Sequence, residues 1–164
     1  MRDVVIRNSI QADYGSIIAL NDAEVQQTSP MDRDRLNFLA SLSDYNKVAV
    51  VNGEVAAFLL AMQHGSKYHN ENYNWFSSRF STFLYVDRVV VGSQFAGLGI
   101  GRALYNDLFL YARGKGLGHV ACEYNIEPPN LASKAFHDKF GFKELDTQWV
   151  AGGAKQVSLQ AATT

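Results

Sequence analysis

The chain of 164 residues is poor in the residues that staple or break a fold, with one cysteine, Cys122, and three prolines. A lone cysteine excludes an intramolecular disulfide and any cysteine-based zinc cluster, and it fits a reducing, intracellular setting. Histidine adds no metal site to the expectation, because His64 and His69 stand five residues apart and match no helical ligand pair. Charge of one sign is missing too. Lys plus Arg is 15 against 16 for Asp plus Glu, a formal charge of −1, which argues against a nucleic-acid partner held by its phosphates. No run of about 18 uncharged apolar residues is present, so no membrane-crossing helix is expected. The opening MRDVVIRNSIQ lacks the apolar stretch of a signal peptide. The expectation is a cytoplasmic chain. No repeat, low-complexity tract or Pro/Gly-rich linker divides it, so residues 1–164 are expected to form a single domain.

Apolar residues make up 47% of the chain and aromatics 12%, enough for a core without staples. Val4 to Arg7 predicts a first strand, and Tyr14, Ile17 and Leu20 recur at helical spacing. Ser29-Pro30, with Asp32 three residues after the serine, offers an N-cap and a first-turn proline for a second helix carrying Leu36, Leu39 and Leu42. Asn52-Gly53 between Lys47–Val51 and Glu54–Met62 is a hairpin signal. Residues 63–79 interrupt the pattern as a polar and aromatic loop. Thr82 to Val91 resumes as a nearly continuous apolar strand of the kind covered on both faces. A glycine-rich turn from Gly97 to Gly101 then leads into a helix with Leu104, Leu108 and Tyr111 on one face, which Gly114, Gly116 and Gly118 end. Strand His119–Tyr124, a helix over 131–139, and a hairpin of 142–150 with 156–159 complete the chain. The order β-α-α-β-β-β-α-β-α-β-β describes an α/β fold, a mixed sheet with helices on its faces.

A strand, a glycine turn and a helix together turn backbone N–H groups toward an anion. The spacing is Gly-x-Gly-x-Gly, late in the chain, which fits neither the dinucleotide-binding fingerprint nor the P-loop with its Gly-Lys-Ser/Thr. Residues 91–104, VGSQFAGLGIGRAL, instead resemble the acyl-CoA pyrophosphate loop of the GNAT N-acetyltransferase superfamily. A second block, residues 130–142 (NLASKAFHDKFGF), is similar to that family's later block of an asparagine, a helix and a Gly-Phe pair. The resemblance spans at least Phe83 to Phe142.

The resemblance implies a GNAT-like fold and direct transfer of acetyl from acetyl-CoA to a primary amine of a small molecule or peptide, with no metal. It sets Ala96, Gly97, Leu98, Gly99, Ile100, Gly101 and Arg102 against the cofactor's pyrophosphate. Ala96 stands where the family usually has Arg or Gln, a position that acts through its backbone N–H. Val89, Val90 and Val91 would supply the amide donor to the thioester oxygen, and Asn130, Ser133 and Phe136 would meet the rest of the cofactor. His137 falls where many members place a tyrosine that protonates the departing thiolate. Departures at Ala96 and His137 leave an acyl-CoA-binding sensor without catalysis as the rival reading.

The residues themselves leave alternatives open. Asp87, inside an apolar strand, is either a general base or half of an ion pair. Its neighbour Arg88 would project from the other face of a strand, which weakens that particular pairing. Glu123 is the second candidate base, or a hydrogen-bonded strand residue. Asn130 suits a helix cap as well as a ligand contact. Phe136 and Phe140 fit the core, and Cys122 fits inert packing. Seven rings fall between Tyr68 and Tyr85, where composition alone gives about two. Those in the loop are expected to wall the acceptor pocket, or else to pack down on the domain or form a homodimer contact.

Overall fold

The computed structural model describes residues 3–25 and 28–164. Among them are seven β-strands and five α-helices: β1 (Val4–Asn8), α1 (Tyr14–Ala23), α2 (Arg33–Leu42), β2 (Tyr45–Val51), β3 (Glu54–Gln63), α3 (Glu71–Ser77), β4 (Leu84–Val91), α4 (Ile100–Gly114), β5 (His119–Glu127), α5 (Leu131–Lys139), β6 (Lys143–Val150) and β7 (Lys155–Thr163). The mixed sheet with helices is therefore present, with one helix, α3, where a loop is expected. None of these helices is long and apolar enough to cross a membrane. The chain forms two compact units, Met1–Met62 with Val86–Leu110 and Gln63–Tyr85 with Tyr111–Thr164.

In the first unit the strands follow the order β1-β2-β3-β4. β1 and β2 are antiparallel, as are β2 and β3, with a register shift between Ala49 and Val50. The β2–β3 turn has Asn52 at φ 52° and Gly53 at φ 77°, the left-handed pair that a two-residue hairpin needs. Ile17, Leu36, Leu39, Val48, Phe58 and Leu60 are fully buried here. The start of α2 differs from expectation. Asp32, in an extended conformation, is the cap, and its carboxylate accepts from the Arg35 amide at 2.8 Å. Ser29 lies outside the helix, and its carbonyl and hydroxyl each accept from Arg88 at 3.0 Å. An anionic cap also suits the positive end of the helix.

In the second unit the order is β4-β5-β7-β6. Leu84 and Tyr85 of β4 run parallel to Val120 and Ala121 of β5, while β5–β7 and β6–β7 are antiparallel. The rings between Tyr68 and Tyr85 do not lie in a loop that presents them. Asn70 caps α3 by accepting from the Asn72 and Tyr73 amides, and the helix turns Tyr73 and Phe76 inward at i, i+3. Tyr68, Tyr73, Phe76, Phe83 and Tyr85 are at most 2% exposed. They pack edge-on or tilted, with centroids 5.5–5.6 Å apart for the three pairs Tyr73 makes with Tyr68, Phe83 and Tyr85. Burying each such ring contributes roughly 1.5–3 kcal/mol, so core packing, the bland alternative, describes most of the aromatic surplus. Trp75 and Phe80 are half-buried, the first under the Arg79 guanidinium and the second stacked on His119 at 4.2 Å.

Candidate active site

The first unit carries the glycine turn. Gly97 and Gly99 adopt φ 80° and 75°, which an L side chain adopts only with strain, and both are exposed. α4 opens at Ile100, anchored by the buried Ile100, Leu104 and Leu108. Helix geometry leaves the first-turn N–H groups without intrahelical acceptors. A Cβ at Gly99 would lie 3.7 Å from Arg102 Nη2, so a guanidinium stands directly beside the turn. An anion arriving there meets backbone donors, the helix dipole and one cation. The Ala96 amide is engaged, donating to the Ser93 carbonyl at 3.2 Å. Upstream, Gly92 N–H donates to Ala56 O at 2.8 Å. Of the three valines, Val90 is buried and Val89 and Val91 are half-buried.

Asp87 and Arg88 do pair, against the expectation from strand alternation. Arg88 Nε donates to Asp87 Oδ2 at 2.8 Å, and both side chains are 4% exposed. The pairing holds because the Arg88 stem is long enough to turn back while its other nitrogens go elsewhere. Nη1 donates to Asn21 Oδ1 at 3.2 Å and to Ser29 O at 3.0 Å, and Nη2 donates to Ser29 Oγ at 3.0 Å. Asn21, itself fully buried, donates to the same Ser29 carbonyl at 2.9 Å. Asp87 thus belongs to a buried ionic network that holds the chain entering α2.

The second unit holds Glu123. The Tyr85 hydroxyl lies 2.8 Å from Glu123 Oε1 and 2.7 Å from Oε2, so one phenolic proton is shared between both carboxylate oxygens. Next along β5, burial and the neighbouring Glu123 charge push the Cys122 thiol well up, which keeps it protonated and inert. On α5, Asn130 caps the helix by accepting from the Ser133 amide at 3.2 Å. His137 is 4% exposed. Its Nδ1 is 2.7 Å from the Ser133 carbonyl and 3.2 Å from the Ser133 hydroxyl. A carbonyl only accepts, so Nδ1 carries the proton. Burial pushes the imidazole below its ordinary pKa, partly offset by the Ser133 carbonyl. Phe136 and Phe142 stand edge-on to the ring at 5.3 and 5.1 Å. His137 is therefore a neutral ring in an aromatic cage, a state that does not favour a proton on Nε2.

The model of the acetyltransferase (GNAT) family matches residues 7–142. The chain belongs to the GNAT acetyltransferase family. No curated protein matches the chain. Among solved structures it is similar to Ard1 from Thermoplasma volcanium, at 16% identity over 98% of this chain and 97% of that one, with a TM-score of 0.80. It is similar to the ribosomal-protein-alanine N-acetyltransferase of Brucella melitensis, at 22% identity over 98% and 99%, TM-score 0.72. It is also similar to Naa50 of Arabidopsis thaliana, solved with the bisubstrate analogue CoA-Ac-MVNAL, at 15% identity over 98% and 99%, TM-score 0.74. At these identities the likeness shows the fold, which is that of a GNAT acyltransferase.

For this GNAT chain, the structure groups the expected residues into separate sets. Gly97 to Arg102 form one continuous turn and helix start. Asn130, Ser133, Phe136 and His137 form a second set, joined by the cap and the imidazole contacts. Asp87 is tied to Arg88, and Glu123 to Tyr85. Tyr85 is the residue that the sequence alone does not single out. The available signal was chemical: a tyrosine in an otherwise apolar strand brings a hydroxyl that needs a partner once buried. Among the described residues, no three His, Cys, Asp or Glu side chains are grouped to hold a metal.

Proposed function

We propose that the chain, as a single domain over residues 1–164, is an acetyl-CoA-dependent N-acetyltransferase of the cytoplasm that acts on a primary amine of a small molecule or peptide. The observation that carries the cofactor assignment is the exposed turn with Gly97 and Gly99 at φ 80° and 75°, opening onto α4 beside Arg102. Such a turn is a receptor for a pyrophosphate, through N–H groups and dipole together. The Val89–Val91 backbone would polarise the thioester oxygen, and Asn130, Ser133 and Phe136 would meet the cofactor's arm.

Glu123 serves as the base in this reading. The amine nitrogen attacks the thioester carbonyl carbon, a C–N bond forms, and the C–S bond breaks with its electron pair leaving on sulfur. The proton released by nitrogen passes to Glu123, directly or through water. Asp87 is the weaker candidate, since protonating it would break a buried ion pair and leave Arg88 uncompensated. His137 as the acid for the thiolate is disfavoured by its buried neutral state. That state favours the second reading, an acyl-CoA sensor without turnover.

Calorimetry with acetyl-CoA and an assay of CoA release across a panel of amines test both readings. The enzyme binds and turns over, whereas a sensor binds only. Gly99→Glu places a side chain at positive φ and a negative charge at the turn. It is expected to weaken acetyl-CoA binding roughly 100-fold, the size of about 2–3 kcal/mol of strain and repulsion. Unchanged affinity removes the loop assignment.

A further inference from the structure

We infer that Tyr85 is a positioning residue for Glu123, and that the aromatic segment around α3 seats Tyr85 for that task. The inference rests on the reading of Glu123 as the base and deepens it. Tyr85 and Ala121 are paired across the parallel β4–β5 ladder. Strand periodicity puts Glu123, two residues beyond Ala121, on the same face. The small Ala121 side chain leaves room for the phenol to lean along β5, where its oxygen sits 2.8 and 2.7 Å from the two carboxylate oxygens. A proton shared equally between both oxygens fixes the carboxylate torsion and leaves lone pairs on each oxygen for a further proton. Because the donor is neutral, it favours the carboxylate over the acid without the ion pair that ties up Asp87. Tyr85 keeps its own proton throughout; the proton from the amine goes to Glu123.

The phenol has no freedom to wander. Tyr85 is fully buried, with Tyr73 edge-on at 5.6 Å and 79° and Phe76 tilted at 6.0 Å. Tyr73 is itself pinned, its hydroxyl donating to Gln63 O at 2.6 Å and accepting from Ser66 N at 3.1 Å. α3 is tied to β6 by Gln148 Nε2 donating to Asn72 Oδ1 at 3.0 Å. A helix that would otherwise be one more piece of core thus ends, through two tyrosines, on the carboxylate. Beside Glu123 stand Tyr85 from β4 and the protonated Cys122 along β5, with Leu159 its partner on β7. Along β4, Asp87 follows Tyr85 by two residues with its charge paired to Arg88.

The test reads the Glu123 carboxyl by NMR in the intact chain carrying 13C-labelled glutamate, with the resonance assigned by its loss in Glu123→Gln. In Tyr85→Phe, losing a donor to a charged acceptor should move the titration midpoint up by about one pH unit. A folded Tyr85→Phe with an unmoved midpoint overturns the inference. If that variant does not fold, the wild-type chain grown with 3-fluorotyrosine replaces it. The more acidic phenol should then lower the midpoint, and no change overturns the inference just as firmly. A Tyr85 that packs against β5 without donating to Glu123 moves neither. Failure of the base reading is separate: Glu123→Gln would then leave the rate of CoA release unchanged, whatever the titration shows.

Discussion

Asp87 in the first unit and Glu123 in the second are carboxylates on apolar strands, and they meet opposite surroundings. Asp87 faces a guanidinium at 2.8 Å inside a network that also holds Asn21 and Ser29. Glu123 faces a neutral phenol that touches both its oxygens. A charge countered by a charge in a buried site does structural service, because losing either partner strands the other. A charge steadied by a neutral donor keeps its orientation and can still accept a proton at modest cost. Two carboxylates that look alike in a sequence thus differ in what stands beside them, and the proposed base is the one steadied by a neutral donor.

The comparison can be broken in three places. The largest effect is expected from Glu123→Gln, which removes the proton acceptor but keeps the shape and the Tyr85 contact. Turnover should fall about 10²–10⁴-fold, with the KM for acetyl-CoA nearly constant. On the other side, Arg88→Met leaves Asp87 buried without its cation and frees the chain at Ser29. Denaturant unfolding should show a loss of about 3–5 kcal/mol, and adding Asp87→Asn to Arg88→Met should restore part of it. The smallest effect concerns His137. Its imidazole is held neutral in the fold and protonates more readily in the unfolded chain, so the unfolded state takes up the proton first as pH falls. Stability carried by this ring is therefore full above the ordinary histidine pKa of about 6.5 and is lost as pH drops below it. The pH dependence of the thermal midpoint below that point should flatten in His137→Phe.

Much of the architecture is written locally and could be read so. Asn52-Gly53 specifies its turn by backbone conformation alone, and the apolar run of β4 followed by the glycine turn announces both a covered strand and the exposed turn that opens α4. The bounds expected for α5, 131–139, match Leu131–Lys139, because Asn130 is a strong cap and Gly141 follows the end. What escaped reading is non-local or short. α3 has only seven residues, too few for a helical period to stand out among polar and aromatic neighbours. The Arg88–Ser29 contacts join residues 59 apart, and the network they belong to is the one that pairs Asp87. The Tyr85–Glu123 contact depends on the parallel register of β4 and β5, which no pattern within either strand reveals. His137 could be placed by motif, but its neutral state follows from the aromatic cage around it.

The account stands most directly on one side-by-side measurement: CoA release by Glu123→Gln and Asp87→Asn, with the amine that the wild-type chain turns over fastest. Glu123→Gln should lose nearly all turnover while still binding acetyl-CoA. Asp87→Asn should be less stable but retain turnover within a few-fold of wild type where it remains folded. The reverse pattern, a silent Asp87→Asn and an active Glu123→Gln, would contradict the division of labour between the two carboxylates.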